Sequence, residues 1–140
     1  AQAAFPNGKV ITFEKNKKHF QIVKKNLELS PFSDLVELRN EELHDETEVI
    51  SCSSIILDLP DPHLLINWAE KSLALGGKML CYLPTINQVE NLLSSLSKWS
   101  EIEISEMMHR TWQSRLEALR PDTNILGHTG FILSARLLDK

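Results

Sequence analysis

The chain has 140 residues, 42% of them hydrophobic, which is enough for one domain with a buried core. Its formal net charge of -4 and its pI near 5.7 argue against a broad basic surface for nucleic acid, so any contact with RNA should be local. The sequence shows no apolar run long enough to span a membrane and no signal-peptide pattern, so we expect a cytoplasmic protein, or a nuclear one in a eukaryote.

The first part of the chain alternates between strand and helix patterns. Phe20, Val23 and Leu27 recur at spacings of three and four residues, with lysines on the other side, which predicts an amphipathic helix. Branched and aromatic residues on either side of this helix predict strands. The predicted elements are a strand at 10–13, a helix over 17–29, a strand at 35–38 and an acidic loop over 40–48.

The segment 54–57 is typical of a short buried strand, and it delivers Asp58 to its end. Pro60 and Pro62 cannot extend a hydrogen-bonded ladder, so the chain must leave the sheet at this aspartate. In open α/β sheets, ligands bind beyond the carboxyl ends of the strands. Asp58 is therefore a candidate for chemistry, although Asp58 and Asp61, close to two prolines, are also ordinary turn residues.

Two further helices are predicted after this turn. The first, with apolar residues between 65 and 73, should end at Gly76-Gly77, because glycine adopts the left-handed backbone at low cost. Thr85 and Gln88 occupy the two positions of a capping box and predict the start of the second. The expected buried stripe of this second helix is Ile86, Val89, Leu93 and Leu96. Strands are predicted at 78–83, around 102–104 and at 131–137, with a polar loop over 109–127.

Strands alternating with helices predict an α/β fold built from parallel βαβ units. Cys52 and Cys81 lack the spacing of metal ligands and are predicted to be buried free thiols.

Four motifs follow one another along the chain: V-I-T-F-E at 10–14, I-L-D-L-P-D-P at 56–62, Y-L-P-T-I-N-Q-V at 82–89, and R-P at 120–121 followed by G-H-T-G at 127–130. Together they resemble the tRNA (adenine-N1)-methyltransferase family, which acts at position 58 of tRNA. The resemblance implies a Rossmann-like class I fold with a mostly parallel sheet and one antiparallel strand. It also implies S-adenosyl-L-methionine as cofactor, tRNA as substrate, and a homo-tetramer or a hetero-oligomer with a related subunit.

The resemblance implies a role for several residues at the cofactor. Glu14 would bind the ribose hydroxyls, because an ionised carboxylate can accept from two vicinal hydroxyls at once. His19 would line the same part of the pocket, or else be an exposed helix residue. Asn40 stands where the family commonly has an acidic residue near the adenine, so recognition would fall to Asn40 or to Glu41.

Other residues would act on the substrate. Asp58 matches the family's catalytic carboxylate, adjacent to both the cofactor sulfonium and the target base. His63 replaces an aromatic residue that is frequent in the family, and with Tyr82 it would hold the flipped-out adenine. Arg110 and Arg120 belong to a locally basic loop that would contact RNA phosphates or bridge subunits, or else form surface ion pairs.

The family's glycine-rich loop after the first strand has no counterpart here, because no G-x-G pattern occurs. We therefore expect residues 1–140 to be an incomplete methyltransferase domain without the first strand. The protein would be an active tRNA methyltransferase subunit, or a non-catalytic paralogue or partner subunit serving RNA binding or assembly. Glu14 and Asp58 favour the first function, whereas Asn40 and His63 leave room for the second. A methyltransferase acting on a small molecule is a weaker third option.

Overall fold

A computed structural model describes residues 1–124 and 126–138. The chain divides into two compact units, Ala1–His44 and Asp45–Lys140. Among the described residues, no helix has both the length and the apolar character needed to cross a membrane.

The first unit is a single βαβ unit. Strands β1 and β2 pair in parallel, with Val10 opposite Val36, and the helix α1 connects them. All three elements begin and end within one residue of the prediction, because their apolar periodicity is local and unbroken. Short 3-10 turns precede β1 and β2. The bounds are β1 (Val10–Phe13), α1 (Lys17–Glu28) and β2 (Val36–Arg39).

The second unit contains a four-stranded sheet and a separate two-stranded one. The larger sheet has the order β3-β4-β8-β5, and β8 runs antiparallel to both of its neighbours. This confirms the predicted α/β class with one antiparallel strand. The elements are β3 (Cys52–Leu57), α2 (Ile66–Ser72), β4 (Leu73–Leu83), α3 (Ile86–Leu93), β5 (Trp99–Glu106), β6 (Trp112–Gln113), β7 (Arg120–Pro121) and β8 (Phe131–Leu137).

Within the described part of the chain, β1 pairs only with β2 and β3 pairs only with β4. Each of these two strands therefore leaves one row of backbone groups without a ladder partner. On the open strand β3, Ile56 is 75% exposed, whereas the flanking Ile55 and Leu57 are buried. The strand thus turns alternate side chains into the core, and its carboxyl end leads directly to Asp58.

The core of the second unit lies between this sheet and the helices α2 and α3. Cys81 is fully buried there, and burial raises the pKa of its thiol to about 12. The prediction of a buried free thiol is confirmed for Cys81, while Cys52 is half-buried and forms no disulfide. Fully buried apolar residues include Leu73, Met79, Leu83, Val89, Leu92, Leu133 and Leu137.

The predicted end of the helix α2 is wrong. The helix ends at Ser72, and Leu73 already has the extended backbone of β4 and lies opposite Cys52 on β3. Gly76 does adopt a left-handed φ of 75°, but inside the β4 segment and not as a helix cap. Pairing with a neighbouring strand therefore overrides the local glycine signal.

The predicted buried stripe of α3 is only partly right. Val89 and Leu96 are buried, but Ile86 is 54% exposed and Leu93 is 38% exposed, while Leu92 is fully buried. Spacings of three and four residues from Val89 fit Leu92 and Leu93 equally well, so only packing against the sheet separates them. Ile86 lies in the first turn, before the packed part of the helix.

We predict that Leu92→Ala lowers the free energy of unfolding of the protein by about 2–5 kcal/mol, because it opens a cavity in the core. Leu93→Ala removes the same atoms one residue away and should cost about 1 kcal/mol or less, because that side chain is partly in solvent. Urea unfolding of the two variants measures the difference. Equal losses would contradict the assignment of Leu92 to the core.

Candidate functional site

Glu14 is the first residue after β1 and is fixed by main-chain contacts. Its backbone amide donates to the carbonyl of Arg39 at 3.0 Å, and its Oε1 accepts from the backbone amide of Asn16 at 2.7 Å. The side chain is 27% exposed. Because a carboxylate offers about four lone-pair sites, Glu14 keeps acceptor capacity for two vicinal hydroxyls, as the ribose of the cofactor requires. Its role at the ribose stays a prediction.

Asn16 builds the turn that holds Glu14. Its Oδ1 caps the helix α1 by accepting from the backbone amides of Lys18 at 2.8 Å and of His19 at 3.3 Å. The same residue therefore orients the carboxylate through its own amide and starts the helix through its side chain. We did not predict this role, although an Asn just before an amphipathic pattern is a recognised N-cap signal.

Asn40 approaches Glu14 from the end of the neighbouring strand β2. Its Nδ2 donates to the carbonyl of Glu14 at 2.7 Å and lies 3.5 Å from the carbonyl of Lys15. An acidic residue could not make these contacts, because an ionised carboxylate has no N–H to donate. The departure from the family pattern at this position therefore comes with a structural role, which is to tie the Glu14 turn to β2.

The other two predicted cofactor residues differ in their surroundings. His19 is exposed, and its Nδ1 lies 3.9 Å from Oε2 of Glu14. Glu41 belongs instead to a charged cluster, in which its Oε1 lies 3.7 Å from Nη1 of Arg39. The structure thus brings His19 and Asn40 to Glu14 and pairs Glu41 with an arginine.

Asp58 stands at the carboxyl end of β3. Leu57 lies opposite Cys81 of β4, so Asp58 leaves the sheet beside the position of Tyr82. The aspartate is exposed, and within the described residues its carboxylate forms no hydrogen bond or ion pair. Pro62, four residues on, is buried and begins a 3-10 helix. The local fold therefore presents a carboxylate whose acceptors are available to a ligand.

Gln88 holds the loop that carries Asp58. Its Nε2 donates to the carbonyl of Pro60 at 2.9 Å, and its Oε1 accepts from the backbone amide of Thr85 at 3.0 Å. The hydroxyl of Thr85 accepts from the amide of Gln88 at 3.4 Å, which confirms the predicted capping box. The contact with Pro60 joins residues 28 positions apart and has no local sequence signal.

Tyr82 lies on β4 at the same end of the sheet. Its phenol donates a hydrogen bond to the carbonyl of Thr129. Its ring lies against Gly130, where a Cβ atom would come within 2.6 Å of the ring. The tyrosine therefore anchors the segment 127–130, and 37% of the residue remains exposed beside Asp58. His63 is half-buried in the 3-10 helix that follows the Asp58 loop.

Arg110 and Arg120 lie in and beside a different part of the second unit. Both are exposed, and Arg120 belongs to the β6–β7 pair, where its Nε donates to Oε1 of Gln113 at 3.2 Å. The β6–β7 pair is separate from the four-stranded sheet. The structure thus places Arg120 in a hairpin with Trp112, which is 62% exposed, and Arg110 just before that hairpin.

A βαβ unit, carboxylates that follow parallel strands, and a four-stranded sheet whose described strand β8 runs antiparallel to its neighbours are the fold of a class I S-adenosylmethionine-dependent methyltransferase. Residues 1–121 match the sequence profile of one family within this class. The chain belongs to the family described as tRNA methyltransferase complex GCD14 subunit.

Relatives and solved structures agree with this assignment. The chain is 28% identical to the tRNA (adenine(57)-N(1)/adenine(58)-N(1))-methyltransferase TrmI of Methanocaldococcus jannaschii, over 98% of this chain and 58% of that protein. Against the Aquifex aeolicus tRNA (m1A58) methyltransferase TrmI structure it has a TM-score of 0.83 and 28% identity, covering 94% of this chain and 54% of that one. A SAM-dependent O-methyltransferase from Thermotoga maritima gives a TM-score of 0.86 at 26% identity, with 95% and 51% covered. The chain thus spans about half the length of these proteins.

We predict that Asn16→Ala destabilises the start of α1 by about 1 kcal/mol, because two amides lose their capping acceptor. Asn26→Ala, an exposed change near the other end of the same helix, should be neutral or slightly stabilising, because Ala has the higher helix propensity. Hydrogen exchange of the amides of Lys18 and His19 measures the effect. Unchanged exchange in the Asn16 variant would contradict the cap.

Proposed function

We propose that this protein transfers a methyl group from S-adenosyl-L-methionine to N1 of adenine 58 in tRNA, with Asp58 as the catalytic carboxylate. The observation that carries the proposal is the exposed carboxylate of Asp58, which has no partner among the described residues at the carboxyl end of β3. The bond from Gln88 to Pro60 holds its loop in place. Relatives named as tRNA adenine-N1 methyltransferases support the choice of reaction.

The reaction needs orientation and charge stabilisation more than a covalent intermediate. Adenine N1 carries a lone pair and can attack a methyl group directly, so correct placement supplies much of the acceleration. Bound S-adenosylmethionine supplies an electrophilic methyl group on a sulfonium. The attack leaves positive charge on the base, which Asp58 stabilises by accepting a hydrogen bond from the exocyclic amine. The same carboxylate can take up a proton after transfer.

Cofactor binding is proposed at the end of β1. Glu14 accepts from the ribose hydroxyls, while Asn16 and Asn40 keep it in place from two sides. His19, beside the second oxygen of Glu14, extends this region. The proposed cofactor contacts within the first unit are Glu14, His19, Asn40 and Glu41.

The target adenine must leave its base pair to expose N1, because that edge is otherwise hidden. We propose that His63 and Tyr82 flank the everted base beside Asp58, and that Arg110 and Arg120 contact tRNA phosphates. The family description as a complex subunit supports association with other subunits. We propose a homo-tetramer or a hetero-oligomer with a related chain.

We predict that Asp58→Asn lowers kcat for methylation of tRNA by about 10²–10⁴-fold, because the variant can neither stabilise the cationic base nor accept its proton. The dissociation constant for S-adenosylmethionine should change much less. Asp61→Asn, the same change three residues away, is the matched control and should keep most of the activity. Rates are measured with tRNA that carries or lacks adenine at position 58.

Two outcomes would overturn this proposal. Full activity of the Asp58 variant would remove its catalytic role. A wild-type protein that binds tRNA or a related subunit, but neither binds S-adenosylmethionine nor methylates, would establish the non-catalytic alternative. Methylation of a small molecule in place of tRNA would contradict the substrate.

We predict that Glu14→Gln weakens S-adenosylmethionine binding by about 10- to 100-fold, because charge-assisted hydrogen bonds to the ribose become neutral ones. Glu28→Gln removes the same charge from the exposed last residue of α1 and serves as the control. Calorimetric titration gives both dissociation constants. A change of less than twofold in the Glu14 variant would contradict its role at the ribose.

A further inference from the structure

His128 is held between two hydrogen-bond acceptors. Its Nδ1 lies 2.5 Å from Oε1 of Glu106 at the end of β5, and its Nε2 lies 2.8 Å from the carbonyl oxygen of Pro84. A carboxylate and a backbone carbonyl can only accept, so both ring nitrogens must carry a proton to satisfy the two contacts. A neutral imidazole has a single N–H, so it can make only one of these two hydrogen bonds. The geometry therefore selects the imidazolium form.

The segment around His128 joins three strands. The imidazole packs against the ring of Phe131 on β8, with centroids 4.9 Å apart. The carbonyl of the next residue, Thr129, accepts from the phenol of Tyr82 on β4. The Oγ1 of Thr129 donates to the carbonyl of Met107 at 3.4 Å. The chain ends of β4 and β5 and the start of β8 are thus tied together at this point.

Hydrogen bonds, together with the peptide bond between Pro84 and Thr85, connect His128 to the loop of Asp58. Pro84, the acceptor for Nε2, directly precedes the capping residue Thr85. Thr85 and Gln88 form the capping box, and the side-chain Nε2 of Gln88 donates to the carbonyl of Pro60. Pro60 lies two residues after Asp58. A shift of the Pro84 carbonyl therefore moves the residues that hold the catalytic loop.

We propose that protonated His128 is a positioning residue, which fixes the Pro84–Thr85 turn and, through Gln88, sets the place of Asp58 for methyl transfer. This inference rests on the proposed function, because it assigns His128 to the same reaction. His128 acts through other residues and is not itself in contact with the reacting atoms.

The pH dependence has a definite direction. The Pro84 carbonyl and then the Glu106 carboxylate raise the pKa of His128 above its ordinary range. Among the described residues, the titratable group that contacts the ring is Glu106 from β5. The phenol of Tyr82 from β4 lies close by, because it donates to the carbonyl of the next residue, Thr129. A raised pKa means that both bonds are complete below the ordinary His range and are lost as pH rises through the raised value. Positioning should therefore fail on the alkaline side.

The test compares two charge removals on one strand of the intact protein. Glu106→Gln keeps an acceptor for Nδ1 but removes the charge, so the alkaline midpoint of kcat should move to lower pH by roughly one unit. Glu103→Gln removes an exposed charge from the same strand away from the ring and should leave the midpoint unchanged. Identical pH profiles for the two variants would overturn the proposal.

Two further readouts do not need catalysis. Nitrogen NMR of labelled histidine should show both ring nitrogens of His128 protonated at pH 7. Hydrogen exchange of segments 57–62 and 84–88 should accelerate with rising pH beyond its intrinsic trend in the wild type, and should be fast at every pH in His128→Ala.

The His128→Ala variant also has a catalytic readout. Its kcat should fall about 10- to 100-fold while its affinity for the cofactor stays within about twofold of the wild type.

These measurements separate two kinds of failure. A wild-type protein that does not methylate tRNA would contradict the proposed function. The nitrogen NMR and hydrogen-exchange measurements would still report on the role of His128. A neutral ring at pH 7, or exchange in segment 57–62 that is unaffected by His128→Ala, would overturn the positioning role even in an active enzyme.

Discussion

The hydrogen bond from Gln88 to the carbonyl of Pro60 determines where the chain goes after β3. Two prolines prevent this loop from continuing a ladder, and the side chain of Gln88 holds it instead. Gln88 can do so because its own position is fixed by the capping box with Thr85. The start of α3 and the loop after β3 are therefore linked by hydrogen bonds. The placement of the Asp58 carboxylate depends on this link.

In the first unit, uncharged groups hold the turn that carries Glu14. Asn16 and Asn40 hold the Glu14 turn through a backbone amide and a side-chain amide. Such donors orient the turn without neutralising the carboxylate as a lysine or arginine partner would. Glu41, in contrast, lies next to Arg39. The difference between the two acidic residues lies in their partners, since both follow strands of the same small sheet.

The strands at 10–13 and 131–137 and the capping box could be predicted from the sequence, because their signals are local and agree with the tertiary fold. Features decided by distant neighbours could not. Pairing with β3 ends α2 at Ser72 despite the glycines beyond it, and packing buries Leu92 in place of Leu93. In the candidate site, the place of Asp58 after an apolar strand made it a candidate and the family resemblance pointed to Glu14, and both roles stay predictions. The bond from Gln88 to Pro60 depends on chain segments that meet only after folding.

The buried thiol of Cys81 bears on how such a protein could tolerate an alkylating cofactor. This residue lies opposite Leu57, one position from the strand end that carries Asp58. Burial raises the pKa of this thiol, so the protonated form is strongly favoured at neutral pH. A thiolate is the strongest nucleophile that a protein offers, and a sulfonium methyl is a reactive electrophile. The buried, protonated sulfur of Cys81 is therefore a poor nucleophile toward such a group.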